Sequence, residues 1–192
     1  MGTRVEFRPC PPNGPIEELV ERAAAFVTWY EEEVAEEGCP EVLRLARKVR
    51  EHGASAFENA AHSHSSDRLV SDFYGFFLEE DAAALPEVPV LNVQGYVDLF
   101  DALTPHIASG IAELLNFAIA GRPVGPSRVE PYHSDDGVSR VSWWTFDEVR
   151  RLRVELPKRD FRTGPAMELM SVLHDALDSG YAAGGGLVIT VF

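Results

Sequence analysis

The chain is poor in positive charge, and it has no long apolar run. Its 192 residues include 17 lysines and arginines against 31 acids, so the formal net charge is −14. A surface of this charge repels phosphate groups, which argues against nucleic-acid binding and against adsorption to anionic lipid. No apolar stretch reaches the roughly 18 residues of a spanning helix, and the N-terminal residues contain no signal-peptide core. We therefore expect a cytoplasmic protein that does not bind membranes.

Cysteine is scarce as well. Cys10 and Cys39 are the two cysteines of the chain, each lies next to a proline, and no CxxC spacing occurs. This excludes a disulfide framework and a cysteine-rich zinc module. We expect two structural or loop thiols in a reducing compartment.

The common catalytic and nucleotide-binding motifs are missing. The chain has no G-x-S-x-G elbow, no G-x-G-x-x-G and no phosphate-binding loop of the GxxxxGK[ST] type. Gly184–Gly186 follows the last expected helix, so it does not lie between a strand and a helix N-terminus as a phosphate cradle would. We expect no cofactor.

Acidic residues are concentrated between Glu17 and Glu41. This segment holds nine acids, and Arg22 is its one base. Solubility is a sufficient explanation, because acidic cytoplasmic proteins are common. Recognition of a basic protein partner is the functional alternative, because opposite charges steer association.

Apolar periodicity predicts an α+β fold in a single domain over residues 1–192. Recurring 3.6-residue patterns indicate six or seven helices. We expect an N-terminal strand over Thr3–Arg8, a hairpin of Arg128–Tyr132 with Val138–Trp144, and a C-terminal strand over Leu187–Phe192. Together they would form a small mixed sheet of three or four strands. The last strand is so apolar that we expect it to be central, with both faces covered.

Capping signals predict where two of the later helices begin. Thr104 followed by Pro105 is typical of a helix start, and Gly121 of the end of that helix. Thr145 with Glu148 three residues later forms a capping box, in which each side chain accepts a backbone N–H of the other residue.

Two histidines and an acid form an H-x-H-x-x-D pattern at His62, His64 and Asp67. Imidazoles two residues apart on an extended segment can bind one zinc ion, with the carboxylate as a third ligand. A solvated polar loop explains the same residues, and the acid and imidazole that follow in related metal-hydrolase motifs are missing. We expect no metal here.

A second polar group, His133 with Asp135 and Asp136, lies in the loop of the expected hairpin. Carboxylates beside an imidazole favour its charged form, so this histidine is a candidate acid–base group, alone or with His62 and His64. Turn chemistry alone also explains serine, aspartate and glycine at these positions.

The paired tryptophans Trp143 and Trp144 are candidates for partner binding, together with Tyr132. Neighbouring residues of a strand point to opposite faces of the sheet, so one indole should be buried while the other is exposed or covered by a helix. An exposed tryptophan at a strand end is a frequent interface anchor. The alternative is that both indoles belong to the core.

The second half of the chain resembles the YfbM-like family of uncharacterised bacterial proteins. The resemblance rests on the helix Ile111–Gly121, the strand-to-helix segment Trp144–Val149 and the apolar segment Gly186–Phe192. It implies an α+β fold and no catalytic residue, because that family has no assigned activity.

Two functions can be argued from these observations, and small-ligand binding without catalysis is a third that the sequence does not rank. The first is a non-enzymatic protein-binding module, an antitoxin-like or immunity-type inhibitor of a basic partner. The second is a small hydrolase, metal-dependent in one version, that uses His62, His64 and His133. The acidic segment and the absence of a strong catalytic motif favour the first.

Overall fold

The computed structural model describes residues 4–34, 38–58, 68–70, 72–73, 76, 90–122, 140–156 and 165–191. These residues form an α+β fold, as predicted. Its elements in chain order are β1 (Arg4–Cys10), α1 (Pro15–Glu33), α2 (Pro40–His52), β2 (Val90–Asn92), α3 (Val93–Leu103), α4 (Ser109–Ala120), β3 (Arg140–Trp144), α5 (Phe146–Glu155), α6 (Pro165–Ala182) and β4 (Gly186–Val191). Short 3-10 helices lie at Gly53–Phe57 and Thr104–His106, and residues 68–70, 72–73 and 76 are also helical.

The described residues fall into two compact units. The first, here called the sheet unit, contains the four strands with α3, α4, α5 and α6. The second, the helical unit, contains α1, α2, the 3-10 helix after α2 and the helical residues between 68 and 76. That the whole chain is one domain over residues 1–192 stays a prediction.

The four strands form one sheet in the order β2-β1-β4-β3, and every pairing between them is antiparallel. The predicted mixed sheet is therefore wrong. β4 pairs with β1 on one side and β3 on the other, so its predicted central place is confirmed. The predicted hairpin partner Arg128–Tyr132 lies outside the described residues, and the short edge strand β2 follows from no pattern we identified.

One face of the sheet carries the hydrophobic core of the sheet unit. Directly opposed residues of an antiparallel pair point to the same face, and the register sets Phe7 opposite Ile189 and Trp144 opposite Leu187. The buried residues that pack there from the strands and from α3 to α6 include Val5, Phe7, Leu91, Tyr96, Leu99, Leu103, Ile111, Leu115, Trp144, Val149, Leu152, Leu173, Leu177, Leu187 and Ile189.

Two buried aromatic side chains attach α4 to its neighbours. The indole Nε1–H of Trp144 donates to the carbonyl oxygen of Leu114 over 2.6 Å. The hydroxyl of Tyr96 donates to the carbonyl oxygen of Leu115 over 2.9 Å. A helical carbonyl has a second lone pair, so both bonds form without loss of the helical ladder. Successive residues of α4 are thereby held by β3 and by α3.

The two predicted helix starts have different outcomes. The capping box of Thr145 and Glu148 is confirmed at the start of α5. The start at Thr104 is wrong, because this residue has helical φ and ψ and its hydroxyl donates back to the carbonyl of Phe100 over 2.7 Å. Ile107 is extended, so the helix begins anew at Ser109 and ends before Gly121, whose φ of 80° is in the region that favours glycine.

Trp144→Phe should lower the free energy of unfolding by about 2–4 kcal/mol, because the bond to Leu114 is lost and the smaller ring leaves a cavity. Urea unfolding followed by circular dichroism measures this. Val154→Ala is the control, since Val154 is 71% exposed and its change should stay within about 0.5 kcal/mol. A loss below about 1 kcal/mol for Trp144→Phe would contradict the structural role of the indole.

Candidate functional site

Seven of the predicted site residues lie outside the described residues, namely His62, His64, Asp67, Tyr132, His133, Asp135 and Asp136. Across the described ranges, no group of three or more His, Cys, Asp or Glu side chains could hold a metal ion. The histidine hypotheses therefore stay predictions.

Both tryptophans of the candidate pair are buried, as the alternative of two core residues requires, and their role in partner binding stays a prediction. Trp144 is fully buried and stacks on Phe7 with ring centroids 5.9 Å apart. Trp143 is 5% exposed and points to the other face of the sheet. Its ring lies against Gly14, where a Cβ atom would approach it to 2.5 Å and where φ is 91°. Neither indole offers a free surface to a partner in this arrangement.

The helical unit carries the acidic segment, and α1 is its main element. Pro15 occupies the first position of the helix, where a missing N–H costs nothing. Glu17 and Glu18 follow in the first turn, where the helix dipole favours negative charge. Leu19, Ala23, Phe26, Val27 and Tyr30 form the buried face of α1, as the periodicity predicts.

The C-terminal turn of α1 has the opposite electrostatic arrangement. Glu31, Glu32 and Glu33 are exposed there, and the turn contains no base. The C-terminal end of a helix carries partial negative charge, so glutamates at this end are unfavourable for the helix itself. Glu31 is compensated, because Arg47 of α2 donates to its Oε1 from Nη2 over 2.5 Å and from Nε over 3.1 Å. Glu32 and Glu33 have no ion-pair partner among the described residues.

Arginines of both units are engaged by acids of the same unit. The ion pairs are Arg8–Glu6, Arg22–Glu18, Arg44–Glu41, Arg47–Glu31, Arg50–Glu51, Arg68–Asp72, Arg150–Asp147, Arg151–Glu155 and Arg153–Asp178. Most are exposed and add little stability. They do neutralise the bases locally, so the surplus of negative charge is left on acids such as Glu32 and Glu33.

An aromatic cluster fixes the second half of α1. The ring of Phe26 lies 5.5 Å from Tyr30, 5.8 Å from Phe73 and 5.9 Å from Phe76, and Trp29 lies 5.3 Å from Phe76, measured between ring centroids. Edge and tilted contacts of this kind add to the stabilisation from burial. The C-terminal turn of α1 with Glu31, Glu32 and Glu33, here called the glutamate turn, therefore follows directly on a rigid part of the helix.

The hydroxyl of Tyr30 connects three segments of the helical unit. It donates to Oδ2 of Asp72 over 3.2 Å and accepts the backbone N–H of Cys39 over 2.8 Å. Cys39 is the residue before α2, so the bond fixes the start of that helix relative to the end of α1. The carboxyl of Asp72 also pairs with Arg68 over 3.5 Å.

Burial changes the acidity of this network. It raises the pKa of Tyr30 to about 12, and it raises the pKa of Asp72 above its usual range despite the opposing effect of Arg68. Outside the network, the thiol of Cys39 donates to Oε2 of Glu41 over 3.3 Å, and this bond lowers the pKa of that carboxyl. The hydroxyl of Tyr30 therefore keeps its proton, and can donate to Asp72, over a wider pH range than usual.

A notch of about 170 Å³ lies where α1 ends and α2 begins. Its lining is mostly apolar and consists of Tyr30, Glu31, Gly38, Cys39, Pro40 and Leu43. Glu31 of the C-terminal turn of α1 is part of this lining, so an aliphatic chain that enters the notch passes a carboxylate. An arginine or lysine side chain has this combination of apolar stem and cationic head.

Comparison with protein-family models, with curated proteins and with solved structures finds no match for this chain. The resemblance to the YfbM-like family stays a prediction. No helix among the described residues is long and apolar enough to cross a membrane.

Sequence reasoning placed the acidic segment but missed the residues that organise it. The helical spacing from Phe26 to Tyr30 indicates that the ring of Tyr30 is buried. The partner of its hydroxyl, Asp72, is 42 residues away in sequence, and no local pattern connects the two.

The raised pKa of Asp72 gives a testable pH dependence. The folded protein keeps a proton on this carboxyl at pH values where the unfolded chain has lost it, so the free energy of unfolding should fall as pH rises through that window. The asparagine of the Asp72→Asn variant does not titrate, so this variant should lack the fall in the free energy of unfolding that comes from Asp72. Urea unfolding at a series of pH values from about 4 to 7 measures the difference.

Asp175→Asn, at an exposed position of α6, is the matched control and should follow the wild-type slope. Parallel profiles for wild type and Asp72→Asn would show that the folded and unfolded states hold this proton equally.

Proposed function

We propose that the protein is a non-enzymatic binding module for a basic protein partner, of the antitoxin-like or immunity-inhibitor kind. The observation that carries the proposal is the C-terminal turn of α1. Three exposed glutamates lie there, and two of them have no ion-pair partner among the described residues. The docking surface of the proposal is this glutamate turn together with the adjacent notch.

The position of the charge supports this proposal. Acids at the start of α1 agree with the helix dipole, whereas Glu32 and Glu33 oppose it at the end. Charges that oppose the helix dipole and have no compensating base among the described residues are a feature expected at functional sites. A cationic partner would supply the compensation on binding.

Arginines of α2 already pair with acids of the same unit. Arg47 and Arg44 of α2, the bases nearest in sequence to the notch residues, pair with Glu31 and Glu41. The remaining negative charge faces solvent, where it raises the association rate of a positively charged protein.

The shape of the notch also supports the proposal. The apolar walls of the notch suit the stem of an arginine or lysine side chain, and burial of such a stem contributes binding energy that a charge pair on a flat surface lacks. A partner with a basic side chain among exposed apolar residues fits this surface best.

Neutralising the turn should stabilise the free protein. We expect Glu32→Gln with Glu33→Gln to raise the free energy of unfolding by about 0.3–1 kcal/mol for each residue, because the repulsion with the helix dipole is removed. Urea unfolding at low ionic strength measures the gain. Asp101→Asn with Glu113→Gln removes the same charge from exposed positions of the sheet unit and is the control. A loss of stability in the Glu32/Glu33 variant would contradict the electrostatic argument.

The same variants test the function. Wild-type protein is immobilised on a resin and incubated with lysate of its source cells at low salt, and the bound proteins are identified by mass spectrometry. The strongest candidate is then purified for affinity measurement. We expect a basic protein whose Kd weakens at least about tenfold in the Glu32/Glu33 variant and with added salt. The Asp101/Glu113 control should bind like wild type. Equal affinity of all three proteins, or the absence of any salt-sensitive partner, would overturn the proposal.

A further inference from the structure

The face of the sheet opposite the hydrophobic core carries a polar cluster. The register sets Glu6 of β1 opposite Thr190 of β4 and Arg8 opposite Val188, so the three polar side chains share one face. Nη2 of Arg8 donates to Oε2 of Glu6 over 3.1 Å. Val188 is fully buried on this face, and Thr190 is 1% exposed.

Two polar atoms of this cluster are buried without a hydrogen-bond partner. They are Nε of Arg8 and Oγ1 of Thr190. A buried donor that lacks an acceptor costs about 1–3 kcal/mol, and more when the group is charged, so such atoms are rare and call for a specific explanation. Both atoms can donate a hydrogen bond, and the long side chain of Arg8 spans the diagonal distance between two residues placed in this way.

We propose that Glu6, Arg8 and Thr190 form a binding site for a small molecule with a carboxylate group. One carboxylate accepts from Nε of Arg8 and from the hydroxyl of Thr190, which satisfies both atoms. Glu6 orients the guanidinium through Nη2 and offsets its charge, which favours a monoanion over a phosphate dianion. The side chains of Arg8 and Glu6 are each 17% exposed, so these two side chains reach solvent, whereas Nε of Arg8 and Oγ1 of Thr190 are buried.

A matched control exists on the other face of the same sheet. Ser142 of β3 is 2% exposed, and its hydroxyl is also buried without a partner. It lies opposite Ile189 on the core face, whereas Arg8 and Thr190 lie on the other face of the sheet. Removal of this hydroxyl should therefore leave carboxylate binding unchanged.

The test is a titration of the full chain with sodium acetate, followed by the backbone amide signals in NMR spectra, with sodium chloride at equal ionic strength as reference. Four heavy atoms limit the affinity of acetate, and a Kd near 1 mM is a realistic expectation. Wild type should show saturable shifts centred on Glu6, Arg8 and Thr190. Thr190→Val should weaken the Kd about 10- to 100-fold, Arg8→Lys should do the same, and Ser142→Ala should not change it.

Thr190→Val keeps the size of the side chain and removes an unpartnered hydroxyl, so this variant should fold. If acetate causes no saturable shift up to about 100 mM, or if Thr190→Val and Ser142→Ala alter binding equally, the site is not a carboxylate site. Water molecules that accept from the two atoms would also give no saturable acetate shift, and that result contradicts a carboxylate site.

Discussion

The antiparallel pairing of β1 with β4 is the contact on which the sheet unit depends. It extends over six residue pairs, from Val5–Val191 to Cys10–Gly186, and joins strands that lie far apart in sequence. β2 and β3 add to the outer edges of this pair, so the sheet has no continuous core without it. The same register determines which side chains lie on each face of the sheet. It brings Phe7 and Ile189 together in the core, and it places Glu6 opposite Thr190 in the polar cluster on the other side.

In the helical unit, a rigid support lies next to an unfavourable charge. The aromatic rings around Phe26 and the hydroxyl of Tyr30 hold the end of α1 against the start of α2. The turn held in this way carries glutamates that oppose the helix dipole. Packing and hydrogen bonds therefore stabilise a surface that electrostatics alone would destabilise. This separation between support and surface is typical of binding sites, which need a fixed position for groups that do not stabilise their own fold.

Much of this fold could be predicted from local patterns, and the rest depends on contacts between distant residues. The capping box at Thr145 and the buried face of α1 involve residues within a few turns of each other, and both are confirmed. Thr104 carries a capping signal, yet the extended conformation of Ile107 moves the helix start to Ser109. The antiparallel arrangement depends on which strands pair, and strand composition does not contain that information. Tyr30 was recognisable as a core residue, but its bond to Asp72 across 42 residues was not. The histidine groups remain predictions, since they lie outside the described residues.

The central claim is that the end of α1 is the docking surface for a basic protein. The most direct test is an NMR titration of the wild-type chain with a short lysine–leucine peptide, in which the backbone amide shifts identify the contact surface. The account predicts that the shifts concentrate on Glu31, Glu32, Glu33 and the notch residues Cys39 and Leu43, and that salt suppresses them. Shifts spread evenly over exposed acids such as Asp98, Asp101 and Glu113, or centred on the sheet unit, would contradict it.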